Sequence, residues 1–80
     1  MTKSEILITL QGWFLEKTGQ EADPTSRYLE TTGIDSFAVI GLIAFIEETF
    51  SIRFQAEDFQ KEEFFTLNGL AHLIAEAADG

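Results

Sequence analysis

Cysteine is absent from the 80 residues, and histidine, proline, methionine and tryptophan occur once each. Without cysteine there can be no disulfide framework, no cysteine-based zinc site and no thiol nucleophile. The single histidine, His72, has no other soft ligand to join it. The acidic pairs Glu47-Glu48, Glu57-Asp58 and Glu62-Glu63 are sequence neighbours, which diverge on a helix. No stretch has the spacing of a calcium loop, so no metal site is expected. Cations are also scarce: Lys+Arg 5 against Asp+Glu 14 leaves a net charge of -9. Phosphate backbones and anionic membranes select cationic surfaces, so binding to nucleic acid or to such a membrane is not expected. A field of this sign steers in a basic protein partner, or simply keeps a small protein soluble. Long apolar runs are lacking too. The longest, Phe37 to Ile46, is much shorter than a bilayer span, and membrane insertion is not expected. The opening Met1-Thr2-Lys3-Ser4-Glu5 is polar and does not resemble a signal peptide, which leads us to expect a cytoplasmic protein.

What remains fits one small domain over residues 1–80, with 45% hydrophobic residues to form its core. Thr2 and Glu5 have capping-box spacing. Ile6, Leu7, Leu10, Trp13 and Phe14 then recur at helical intervals, and Gly19 stops the run, which predicts a helix over Lys3 to Thr18. A long connection follows from Gly19 to Asp35. Asp23-Pro24 marks a turn or short-helix start within it, and Tyr28 and Leu29 are apolar enough to pin it to the core. A second helix is predicted from Ser36 to Phe50, with Asp35 as N-cap and Val39, Leu42, Ile43, Ile46 and Phe50 as its inner stripe. Ala38, Gly41 and Ala44 form a row of small residues beside Phe37 and Phe45. Gly41 costs about 1 kcal/mol against Ala in mid-helix, so a need for small size is expected there. A short turn from Ala56 to Phe59 or Lys61 follows. A last helix begins after Thr66, with Leu67, Leu70, Ala71, Ile74 and Ala78 buried and His72 on the surface. The fold class expected is all-α: a small four-helix bundle, three main helices plus one short helix, with a long first loop.

Gly33-Ile34-Asp35-Ser36-Phe37 is the segment that carries chemistry. Gly permits a turn, Asp caps a helix and Ser begins it, so the pattern has a purely structural reading. The same position also exposes the Ser36 hydroxyl beside unpaired N–H groups and the positive end of a helix dipole, where a phosphate is favoured. A catalytic triad of Ser36, His72 and a carboxylate lacks the Gly-x-Ser-x-Gly elbow and has little room for a pocket. No enzyme activity is expected.

Gly33-x-Asp35-Ser36-Phe37 resembles the Gly-x-Asp-Ser-Leu attachment motif of acyl carrier proteins. Asp23-Pro24 and Leu29 lie where such carriers have a turn and an apolar anchor. Ile46-Glu47-Glu48-Thr49-Phe50 resembles the end of their second helix, and Ser51-Ile52-Arg53-Phe54 with Glu57-Asp58-Phe59 the approach to their third. Glu63-Phe64-Phe65-Thr66-Leu67 is similar to a stretch of peptidyl and aminoacyl carriers. The resemblance implies that Ser36 carries a 4'-phosphopantetheine arm, taken from coenzyme A by a phosphopantetheinyl transferase that recognises Asp35. It further implies an acyl or aminoacyl thioester on the arm, loaded by a ligase and passed to transferring or condensing enzymes by a monomeric carrier. Met1, the capped first helix and the lack of a linker at either end lead us to expect a free-standing carrier.

The chain departs from the family at four positions. Phe37 stands in place of Leu, and Thr32 in place of the Leu that many carriers have before the Gly. Ala38 and Gly41 occupy positions that are usually acidic in fatty-acid-synthase carriers, so that only Glu47 and Glu48 remain of the acidic stripe. These changes lead us to expect partner docking on Phe37, Ala38, Gly41, Ala44 and Phe45 with a weak ionic rim, in a specialised biosynthetic pathway. The competing expectation is a cofactor-free interaction module using the Phe37/Ala38/Gly41/Phe45 strip.

Overall fold

A computed structural model describes residues 2–79. Helix α1 spans Lys3–Thr18 and starts in the expected capping box: the Thr2 hydroxyl accepts from the Glu5 N–H, and the Glu5 carboxylate accepts from the Thr2 N–H. That backbone bond, with the Thr2 hydroxyl, holds the Glu5 carboxyl below its ordinary range. The helix stops at Gly19, whose φ of 73° is left-handed and whose N–H reaches back to the Leu15 carbonyl. Helix α3 spans Ser36–Phe50 and α4 spans Leu67–Asp79. The Thr66 hydroxyl accepts from the Gly69 N–H, as an N-cap does.

Between these lie shorter pieces. Helix α2, Tyr28–Thr31, is a single turn inside the first loop, and it begins four residues after Asp23-Pro24, where a turn or short-helix start is expected. The predicted turn after α3 is a 3-10 helix over Ala56–Gln60, and a second one follows over Glu62–Phe65. Among the described residues the only β pairing is an isolated antiparallel bridge between Arg27 and Thr66. The structure is therefore all-α, a small helical bundle with a radius of gyration of 11.5 Å. A compact chain of this length is expected near 12 Å, so the described residues form one body.

The core is built mainly by α1 against α4, closed by α3. Ile6, Leu10 and Phe14 from α1 meet Leu67, Leu70, Ala71 and Ile74 from α4, with Leu42 and Ile46 from α3. The predicted stripes need three corrections. Ala78 is exposed and Leu73 is buried in its place. On α3 only Leu42 and Ile46 are fully inside, while Val39, Ile43 and Phe50 are half-buried at the margin. In the first loop Tyr28 is buried, but Leu29 is exposed and anchors nothing. Successive residues on one helical turn point about 100° apart, and on this single turn Tyr28 takes the inward direction.

The first loop is clasped to the second 3-10 helix and the start of α4. The Tyr28 hydroxyl donates to the Phe64 carbonyl at 2.7 Å, and the Asn68 N–H donates to the Pro24 carbonyl at 3.0 Å. Arg27 pairs with Glu30 and Glu62 and lies over the Phe65 ring. Asp23 begins this stretch by accepting from the Thr25 N–H and hydroxyl, bonds that hold its carboxyl below the ordinary range. Burial pushes the Tyr28 phenol well above its ordinary pKa.

Candidate functional site

The second half of the loop leads into α3 through residues that determine its geometry locally. The Thr32 hydroxyl donates to the Tyr28 carbonyl at 2.6 Å, closing the end of α2. This is a use for Thr32 that an apolar residue in its place could not supply. Gly33 has φ 76°, in the left-handed region where a side chain is strained. Ile34 then packs against the core, so the chain is seated immediately before the cap. Asp35 is extended, and its carboxylate accepts from the Ala38 N–H at 2.9 Å. Ser36 is thus the first residue of a 15-residue helix, exposed, and its hydroxyl has no hydrogen-bond partner among the described residues.

The N–H groups of Ser36 and Phe37 also have no partner among the described residues, as the first turn of a helix requires. Beside them is an open hollow of about 340 Å³, lined by Lys17 and Thr18 from α1 and by Thr32, Gly33, Ile34, Asp35 and Ala38. An exposed hydroxyl with neighbouring free N–H donors at the positive end of a dipole suits a phosphodiester; the Asp35 carboxylate opposes it.

The residues expected to dock partners divide between two sides of α3. Phe37 is 83% exposed, and Gly41, Ala44 and Glu48 are exposed with it. Ile40, which sequence reasoning missed, is 64% exposed and lies on the same side. Positions 37, 40, 41, 44 and 48 follow the helical i, i+3, i+4, i+7 spacing, the signal that could have found Ile40. Ala38 and Phe45 turn toward α1 instead. Both are half-buried against the core, and the Phe45 ring lies 6.4 Å from that of Trp13. Glu47 turns toward the next connection: its carboxylate accepts from the Phe54 N–H at 2.9 Å and lies 3.8 Å from Arg53. Among the described residues, nothing beyond its chain neighbours and its own helix backbone lies within 4 Å of where a Gly41 Cβ would be, so no packing contact requires glycine there.

His72 is half exposed on α4. Its Nε2 lies 3.5 Å from Glu63 and 2.5 Å from Glu76, and the Ser36 hydroxyl is not among its partners. Among the described residues no group of three or more His, Cys, Asp and Glu side chains is placed to hold a metal ion. No described helix is long and apolar enough to cross a membrane. Comparison of the chain with family models, curated proteins and solved structures finds no match.

Proposed function

We propose that this chain is a carrier protein with a 4'-phosphopantetheine arm on Ser36. The observation that supports this reading most directly is the state of Ser36 itself: exposed, first in its helix, and without a partner for its hydroxyl among the described residues. A serine kept only as a cap would sit one residue earlier, where Asp35 already does that work. The resemblance of Gly33-x-Asp35-Ser36-Phe37 to the acyl carrier attachment motif supplies the chemistry. Ser36 Oγ loses its proton and takes the phosphopantetheinyl group from coenzyme A, displacing adenosine bisphosphate. The arm then supplies a terminal thiol that holds an acyl or aminoacyl group as a thioester.

The chain's own residues seat and present the arm. Asp35 holds the first turn of α3 and is read by the phosphopantetheinyl transferase. The face of Phe37, Ile40, Gly41 and Ala44 meets the loading ligase and the transferring or condensing enzymes. With apolar anchors and Glu48 as the one carboxylate on that line, this docking depends less on salt than an acidic helix would. Such a surface suits dedicated partners in a specialised pathway.

The same exposed face also favours a second reading, a cofactor-free interaction module. Intact mass after incubation with coenzyme A, magnesium and a broad-specificity phosphopantetheinyl transferase separates the two. The carrier reading expects a gain of one phosphopantetheine group in the parent and none in Ser36→Ala. No gain from a folded parent, with a control carrier modified in the same tube, assigns the chain to the second class.

A further inference from the structure

We infer that Lys17 is the residue that holds the phosphodiester of the arm on Ser36; this rests on the carrier reading. Five side chains of the chain are Lys or Arg. Arg27, Arg53 and Lys61 each have a carboxylate within 4.0 Å, whereas Lys3 and Lys17 have none among the described residues. Lys3 is in the first turn of α1, whereas Lys17 lines the hollow that flanks Ser36.

Thr32 to Asp35 and Ala38 line the same hollow, and Ser36 lies in sequence between two of them, Asp35 and Ala38. A phosphodiester there carries one negative charge in the field of a chain whose net charge is -9. Its nearest charged neighbour in sequence is the Asp35 carboxylate, of the same sign. The free N–H groups of the first turn offset part of that repulsion. The Lys17 ammonium in the same hollow supplies an opposite charge, and among the described residues no carboxylate already holds it. Lys17 also sits in the last turn of α1, where a cation suits the helix dipole. That role alone would not direct it toward the arm, and the experiment separates the two roles.

The arm is first installed on the parent, Lys17→Ala and Lys17→Arg chains and confirmed by intact mass. The 31P resonance of each holo chain is then recorded at low and at high salt. The Lys17 side-chain resonances of the parent are compared before and after attachment, with Ser36→Ala as the chain that cannot be loaded. If Lys17 holds the phosphodiester, its terminal resonances shift on loading of the parent. The 31P resonance moves in Lys17→Ala, is restored in Lys17→Arg, and moves in the parent toward the Lys17→Ala position as salt is added. A role confined to the helix dipole leaves the 31P resonance alike in all three chains, and that result overturns the inference while the carrier reading stands. A parent that takes up no arm overturns both. Because Lys17 is exposed and has no ion pair, the variants fold, and circular dichroism of each chain checks this.

Discussion

Asp35 caps α3, and the carrier reading gives it a second role that a neutral cap separates from the first. Its carboxylate holds the Ala38 N–H, and it stands next to the Ser36 hydroxyl, which on the carrier reading is the group a transferase recognises. Asparagine keeps the cap and removes the charge, because Asn and Asp cap about equally well. Asp35→Asn is therefore expected to match the parent in thermal unfolding while losing phosphopantetheinyl transfer. Asp35→Ala is expected to lose about 1 kcal/mol of stability as well. Equal transfer rates in the parent and in Asp35→Asn would leave Asp35 with the cap alone. The cap was legible in the sequence because it is a local device. Lys17 was not: it is 19 positions from Ser36, and only the packing of α1 beside the first loop brings it to the same hollow.

The helices themselves repeat that contrast. Boundaries of α1 and α3 follow from caps and periodicity, which are short-range, and both match the expected ranges. Which flank of α3 is free depends on where α1 lies, and so Phe45 turned inward while Ile40 turned out. Gly41 and Gly69, two of the three helical glycines, show the same lesson. Gly41 was expected to answer a need for small size, yet a Cβ there meets no packing neighbour within 4 Å. Gly69 is the one that the fold requires: a Cβ on it would overlap the backbone carbonyl of Glu63, where the second 3-10 helix crosses α4. Gly41→Ala is expected to stabilise the chain by up to about 1 kcal/mol through helix propensity. Gly69→Ala is expected to cost about 1–3 kcal/mol, because backbone must move to admit the methyl group. Denaturant unfolding of the two variants checks both signs. Gly41→Glu adds a separate test of the docking face: cargo transfer to partner enzymes falls while the fold is kept. Unchanged loading and transfer in that variant would remove the close-packing role from this side of α3.

Across the whole molecule, Tyr28 connects the first loop to the far end of the chain. Its phenol is ionised near pH 10 in an unfolded chain, and burial raises that value in the folded one. A raised folded-state value means that the stabilisation is complete below about pH 10 and is lost as pH rises further. Lys61 contributes in the same direction, since its hydrogen bond to Asp58 raises its pKa. Tyr28→Phe is expected to cost about 1 kcal/mol near neutral pH, through the lost bond to the Phe64 carbonyl. Its alkaline loss of stability should be shallower than the parent's, leaving the part due to Lys61. Identical pH slopes above 10 in the two chains would mean that Tyr28 is not the group that fails. At this scale the all-α class was readable from composition and periodicity, whereas the clasp was not. Its partners are far apart in sequence, as in the bond from Tyr28 to Phe64, and no local pattern announces such a pairing.

That clasp also affects the order in which the chain comes together. It closes a span of roughly 40 residues, and a span of that length must surrender its chain entropy before the contacts repay it. The geometry at Ser36 asks for no such closure. Gly33, Asp35 and Ala38 fix it within six consecutive residues, over bonds that form as soon as the helix nucleates. The turn and cap before Ser36 thus need fewer distant contacts than the frame around them, and on the carrier reading the attachment serine is the part of the molecule least dependent on the clasp.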